Sequence, residues 1–93
     1  MKRPKTTHNE NLARLARIEG QIRGIRRMIE NKVYCIDILT QLQAAHHALH
    51  AVAQKVFRKH VENCVASAVR SRSAKEMEQK MTEVMEVLRR AEL

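Results

Sequence analysis

Apolar residues recur at intervals of three and four along most of the chain, the spacing of one face of an α-helix. In the first third this stripe consists of Leu12, Leu15, Ile18, Ile22, Ile25 and Ile29. A capping-box pattern from Thr7 to Glu10 predicts that the helix begins near Asn9. Asn31 and Lys32 are predicted to end it.

The same spacing predicts two further helices. Nothing in the sequence interrupts a helix from Val33 to about Arg70, whose apolar side is marked by Leu39, Leu42, Leu49, Ala53, Val56 and Val65. A second capping-box pattern, from Ser73 to Glu76, predicts the start of a last helix. The inward side of this helix is predicted to carry Met77, Met81, Val84 (or Met85) and Leu88. The predicted fold is therefore all-α, with a short, a long and a short helix.

Composition and length agree with this fold. The 93 residues include only two glycines, one proline and two aromatic residues, which favours helix almost throughout. We expect a single domain over residues 1–93, with residues 1–8 as a flexible basic tail. A chain this short buries a limited core alone, so oligomerisation is a natural way to add buried surface. Since no signal peptide or apolar run of roughly 20 residues is evident, we expect a cytoplasmic protein without a membrane partner, its two cysteines reduced.

The net charge of +8 is unevenly distributed. Residues 1–32 carry +6, whereas residues 33–64 and 65–93 carry +1 each. A basic segment on a nearly neutral remainder indicates a polyanionic partner, and DNA, RNA and an anionic membrane surface all fit that charge. Single-stranded nucleic acid fits least, because the chain has almost no aromatic side chains for stacking on unpaired bases. The sequence does not predict an enzyme, because neither paired carboxylates nor a nucleophile with an adjacent base is evident.

Three potential metal ligands share one face of the long helix. His60 and Cys64 are four residues apart, so they project as neighbours. Cys35 lies on the same face but about 37 Å away along the axis, too far for one straight helix to hold one metal ion with all three. Two long helices packed antiparallel would bring Cys35 of one chain opposite His60 and Cys64 of another, with two equivalent sites per dimer.

The two thiolates and one imidazole predict Cu(I) as the cofactor. Cu(I) accepts few, soft ligands, whereas Zn(II) or Fe(II) generally takes four or more. Each of these residues alone is more often an ordinary buried side chain, since free cysteines commonly pack as small apolar residues. Their common face and spacing are what favour a metal site.

Three stretches of the chain carry specific motifs: residues 17–24 with residues 28–30, residues 34–41, and residues 60–64. Together they resemble the copper-sensitive operon repressor (CsoR/RcnR) family. The first stretch is similar to the family's first helix, the second to the signature of its copper-sensing branch, and the third to its second ligand pair. The resemblance extends from about Leu12 to the C terminus. It implies a helical-bundle dimer that pairs into a tetramer, an apo form that represses by binding double-stranded operator DNA, and a metal-loaded form that releases it and derepresses copper-resistance genes.

The resemblance also implies roles around the metal. Copper-sensing relatives use a tyrosine beside the first cysteine and a glutamate on the last helix to hydrogen-bond the ligating histidine, which couples metal binding to DNA release. Tyr34 corresponds to the tyrosine. For the glutamate, the apolar pattern of the last helix indicates Glu83, whereas an ungapped count arrives at Lys80. Some relatives recruit a histidine near the N terminus, so His8 leaves nickel or zinc open as the sensed metal.

The predicted DNA contacts lie in the basic segments. Arg14 matches an arginine that relatives use on DNA, whereas Ala51 stands at another DNA-binding position of the family and departs from it. Basic residues near these two positions are further candidates: Lys2, Arg3, Lys5, Arg17, Lys55, Arg58 and Lys59. A cytoplasmic copper buffer without DNA function and a thiol or persulfide sensor remain alternatives, and the basic N-terminal third favours the repressor.

The antiparallel arrangement makes one more prediction. If Cys35 faces the midpoint of His60 and Cys64, the dimer axis crosses the long helix between residues 48 and 49. His46, His47 and His50 lie within three residues of that point. They are either packing residues, or a secondary site that binds a divalent metal weakly or becomes self-repulsive on protonation.

Overall fold

The computed structural model describes residues 6–91, and no strand occurs among them. Its four helices are α1 (Leu12–Glu30), α2 (Cys35–His60), α3 (Ala66–Arg70) and α4 (Ala74–Ala91). A 3₁₀ turn, Asn9–Asn11, leads into α1, and a π-helical turn, Val61–Val65, joins α2 to α3. Because α2, the π turn and α3 follow without a break, they form one long helical stretch. The predicted all-α fold with a short, a long and a short helix is confirmed.

The first helix begins and ends close to the predicted positions. Its 3₁₀ turn starts at Asn9, and neither His8 before this turn nor Asn11 before α1 makes a side-chain capping hydrogen bond. At the other end Lys32 adopts a left-handed φ of 55°. Its N–H donates to the Ile29 carbonyl at 3.1 Å, and the N–H of the next residue donates to the Met28 carbonyl at 3.0 Å. These paired bonds satisfy the last carbonyls of α1 and end it.

Half of the second capping box is present at the start of α4. Ser73 Oγ accepts a hydrogen bond from the backbone N–H of Glu76 at 3.2 Å. The N–H of Ser73 donates to Ser71 Oγ instead of to the Glu76 carboxylate. The serine therefore caps the helix without the reciprocal bond of a full box.

The described chain divides into two compact units. In residues 8–53 the buried apolar side chains are Ile18 and Ile25 from α1 and Ala45 and Val52 from α2. In the unit formed by residues 6–7 and 54–91, α4 packs against the π turn and α3. None of the helices in residues 6–91 is long and apolar enough to cross a membrane.

The prediction that the methionine stripe of α4 faces inward is wrong for the single chain. Met77, Met81, Met85 and Leu88 are all exposed, while Val84 is only half-buried. The helix instead turns Lys80 inward, with 3 % of its surface exposed. The stripe consequently lies to one side of the packed face.

The Ser73 cap should contribute measurably to stability. Replacing an N-cap serine by alanine leaves a backbone N–H without its acceptor, which costs about 1 kcal/mol. We expect Ser73→Ala to lower the free energy of unfolding by that amount in urea titrations followed by circular dichroism. Ser67→Ala is the matched control, because Ser67 is exposed in the interior of α3. Equal stability of the two variants would contradict the assignment of the cap.

Candidate metal centre

Two of the candidate ligands lie at a single irregular turn. His60 is the last residue of α2, and Cys64 is the fourth residue of the π turn. Such turns insert one extra residue into an α-helix and often occur at functional sites. Nothing in the residue types of this stretch predicts the insertion.

Cys64 is buried beneath the start of the described chain. Only 4 % of its surface is exposed, and its Sγ lies 3.4 Å from Thr6 Oγ1 in a hydrogen bond that either atom could donate. The Lys59 ammonium donates to the carbonyl of Thr7 and holds the same segment. Of the tail predicted over residues 1–8, residues 1–5 lie outside the described part of the structure.

His60 meets a carboxylate from α4. Its Nε2 lies 3.3 Å from Oε1 of Glu83, close enough for an ion pair with a protonated ring, but without the geometry of a hydrogen bond. The other carboxylate oxygen, Oε2, lies 3.6 Å from the ammonium of Lys80. Both residues that the sequence offered for this position thus lie within one turn of α4, and the one that faces His60 is Glu83.

Cys35 belongs to the other of the two compact units. It is the first residue of α2, whereas His60 is the last, and it is exposed. Tyr34, immediately before it, is 69 % exposed. Across residues 6–91 there is no group of three or more His, Cys, Asp or Glu side chains arranged to hold a metal ion.

The sequence profile described as "Metal-sensitive transcriptional repressor" matches residues 7–90. The chain belongs to this repressor family. Copper-sensing CsoR of Bacillus subtilis (strain 168) is 43 % identical over 77 residues, covering 83 % of this chain and 73 % of CsoR. Copper-sensing RicR of Mycobacterium tuberculosis (strain ATCC 25618 / H37Rv) is 51 % identical over 65 residues, covering 69 % of this chain and 68 % of RicR.

Two solved structures, of a copper-sensing repressor and of a nickel-responsive transcriptional regulator, have the same fold. CsoR with Cu(I) from Geobacillus thermodenitrificans NG80-2 has a TM-score of 0.83 and 38 % identity, covering 97 % of this chain and 94 % of that one. The nickel-responsive regulator InrS has a TM-score of 0.76 and 31 % identity, covering 94 % of each chain. The family resemblance inferred from the motifs is confirmed.

Two basic residues of α1, Arg14 and Arg17, line a cavity of about 320 Å³. Arg14 is half-buried there, and its Nη1 donates to the Glu10 carbonyl at 3.1 Å and to Asn11 Oδ1 at 3.4 Å. Arg17 is exposed on the same cavity, and Ala51 of α2 forms part of its lining. Ala51, the predicted departure from the family, therefore lines the same cavity as Arg14, the predicted DNA contact.

The basic residues near the end of α2 differ in how they are held. Arg58 pairs with Glu62 at 3.0 Å, one turn further along the helix, and both side chains are largely exposed. Lys59 is held by the Thr7 carbonyl. Lys55 is exposed. All three stay predicted DNA contacts.

The three central histidines lie on the regular part of α2. The rings of His46 and His47 are 5.9 Å apart between centroids and tilted by 58°. Both are exposed, while His50, one turn after His46, is half-buried.

The burial of Lys80 and the contact of Thr6 with Cys64 were not predicted from the sequence. Lys80 precedes Val84 by four residues, so the helical period itself places a charged residue on the inward side of α4. The sequence could therefore have predicted the burial of Lys80. The contact of Thr6 with Cys64 joins residues 58 positions apart in the chain, and no local pattern predicts it.

The Thr6 contact should shield Cys64. Thr6→Val keeps the shape of the side chain but removes the hydroxyl that contacts Sγ, so we expect iodoacetamide to alkylate Cys64 faster, as followed by mass spectrometry of the metal-free protein. Thr7→Val is the control, because Thr7 contributes its backbone carbonyl, which valine retains. If the two variants alkylate at the same rate, the hydroxyl does not protect the thiol.

Proposed function

We propose that this chain is a copper-sensing transcriptional repressor that binds operator DNA without metal and releases it when Cu(I) binds. The ligands are Cys35 of one chain and His60 with Cys64 of another. The observation that carries the proposal is the approach of the Glu83 carboxylate to His60 beside a buried cysteine, in a chain whose relatives include copper-sensing repressors. Release derepresses copper-resistance genes.

The exposed apolar face of α2 supports a dimer. Leu39, Leu42 and Leu49 are exposed in the single chain. At about 100° per residue they lie within about 40° of Cys35 around the helix. Packing α2 against an antiparallel copy would cover these leucines and supply Cys35 to the other two ligands. Such dimers pair into a tetramer in the arrangement that the family resemblance implies.

The donor set and its neighbours fit Cu(I). Bound Cu(I) acts as the effector, held by two soft thiolates and one imidazole. Because His60 directs Nε2 toward Glu83, its Nδ1 is the nitrogen left for the metal. The carboxylate then fixes the orientation of the ring, as partners of ligating histidines commonly do. Tyr34 adjoins Cys35 in sequence and accompanies it to the shared site.

Operator binding uses the basic side chains of α1 and of the end of α2. Arg14 and Arg17 supply guanidinium groups for phosphate contacts, with Lys55, Arg58 and Lys59 as the second set. A protein that neutralises several phosphates releases their counterions, so its affinity for DNA falls steeply with salt. Acting on operator DNA places the protein in the cytoplasm, where both thiols stay reduced and available to a metal.

A sensor of nickel or zinc is the second candidate function. The match to the nickel-responsive InrS favours it, and His8 is the additional nitrogen ligand that such a metal would use. His8 Nδ1 is buried without a hydrogen-bond partner in the described structure. The cysteine–histidine–cysteine set nevertheless favours Cu(I), since nickel and zinc generally take more ligands.

The test is operator release as a function of metal. Fluorescence anisotropy of the operator beside the protein's own gene should show tight binding by reduced, metal-free protein and release at one Cu(I) per chain. His60→Ala should still bind Cu(I) through two thiolates but release DNA less, because the imidazole links the metal to Glu83. Gln79→Ala, at an exposed position of α4 without a proposed role, should behave as wild type.

Each other outcome selects another function. Release by Ni(II) or Zn(II) but not Cu(I) would make the chain a sensor of those metals. Cu(I) binding by a protein that does not bind the operator would indicate a copper buffer. A wild-type response from His60→Ala would show that the thiols act without the imidazole.

We further propose that His46 and His50 bind a divalent metal weakly at the centre of the α2 dimer, where His47 adds a third imidazole from each chain. Imidazoles one turn apart on a regular helix can chelate Zn(II) or Ni(II). Replacing all three by glutamine should remove one class of weak Zn(II) sites in calorimetric titrations and spare Cu(I) binding. Unchanged Zn(II) stoichiometry would leave the three as packing residues.

A further inference from the structure

Lys80 is the one charged side chain buried within residues 6–91. It lies on α4, one turn before Glu83, in the unit that also contains His60 and Cys64. A buried ammonium is costly unless a negative group compensates it, and lysines are rarely buried without such a partner. The carboxylate within reach is Glu83, whose Oε2 lies 3.6 Å from Nζ.

The same carboxylate faces His60 through its other oxygen. The 3.3 Å between Oε1 and Nε2 lacks hydrogen-bond geometry, and Nε2 is buried without another partner. The 3.6 Å contact with Lys80 is too long for a hydrogen bond. Glu83 therefore lies between two groups of potential positive charge and is fully bonded to neither.

We propose that Lys80 is a positioning residue that holds Glu83 back from His60 in the metal-free protein, so that metal binding moves the carboxylate from the lysine to the histidine. This inference rests on the proposed function and deepens it. An imidazole that binds metal through Nδ1 carries its hydrogen on Nε2 and donates it to a carboxylate. Once Glu83 accepts that bond, the ammonium of Lys80 loses part of its compensation while it is still buried.

Metal binding therefore leaves the buried charge of Lys80 partly uncompensated, and only a movement of α4 removes this free-energy cost. Lys80 and Glu83 lie on the same helix, so α4 must shift or rotate for Lys80 to regain solvent or another partner. Metal binding and the position of α4 are then linked, and the linkage acts equally in both directions. Without the ammonium, Glu83 can bond to His60 while α4 stays in place.

The decisive variant is Lys80→Met, which keeps an unbranched side chain of similar length and can remain buried. In the metal-free protein we expect the ¹⁵Nε2 resonance of His60 to shift toward the hydrogen-bonded form. Cu(I) affinity should rise, and the ratio of operator affinities without and with Cu(I) should fall about tenfold, within the range typical of allosteric coupling. Lys75→Met, an exposed lysine on the same helix, should match wild type in all three measurements.

Lys80→Arg tests the opposite direction. A guanidinium can hold the carboxylate with two parallel hydrogen bonds, so this variant should keep Glu83 from His60 more firmly and lower Cu(I) affinity. It also keeps the inference testable if Lys80→Met does not fold. The inference is overturned if either folded variant leaves Cu(I) affinity and the His60 resonance unchanged, or if both shift Cu(I) affinity in one direction.

Failure of this inference is distinguishable from failure of the proposed function. The proposed function fails if the wild-type protein does not bind Cu(I), or if it binds Cu(I) without releasing the operator. The His60 resonance of metal-free protein still tests the position of Glu83 in that case. If the wild-type protein releases operator with Cu(I), and Lys80→Met has the same Cu(I) affinity and His60 resonance as wild type, only the proposed role of Lys80 fails.

Discussion

A straight α-helix keeps its two ends apart, and α2 begins at one proposed ligand and ends at another. With a rise of about 1.5 Å per residue, no flexing of side chains joins Cys35 to His60 in one chain. A site that needs both must take them from two chains, so metal binding and assembly depend on each other. In the proposed dimer the exposed leucines of α2 supply the apolar surface, and the exposed Cys35 beside them supplies the third ligand.

The fold was predictable where it depends on local pattern. Asn31 and Lys32 ended α1 as predicted, because their place at the end of the apolar stripe marked a helix stop, and Ser73 marked the start of α4. The inward side of α4 was not predictable in the same way. Its methionines are the more apolar face, yet packing against the π turn and α3 selected the side with Lys80. Hydrophobicity alone does not decide which of two faces meets a neighbour within the chain and which is left for another.

The candidate site was likewise predictable only where it depends on local sequence pattern. The common face of Cys35, His60 and Cys64 was inferred from regular helical spacing, which the π turn interrupts between His60 and Cys64, and it stays a prediction. The place of Glu83 followed from the apolar period of α4. The Thr6 hydroxyl on Cys64 did not, because it depends on how the chain leads into α1. Lys80 was considered only as an alternative to Glu83. In the structure the two residues are neighbours, and this proximity is the basis for the proposal that the Glu83 carboxylate moves from Lys80 to His60.

The π turn gives this scaffold a place where its length can change without a change of packing. Because it holds one residue more than an α-helical turn, deleting a single residue there would restore the regular helix and leave α3 facing α4 as before. His60 and Cys64 would then be three residues apart, which keeps them on one face of the helix but changes the separation of the pair. A deletion in this turn would therefore act on the ligand geometry, whereas a deletion in the regular part of α2 would rotate everything beyond it by about 100°.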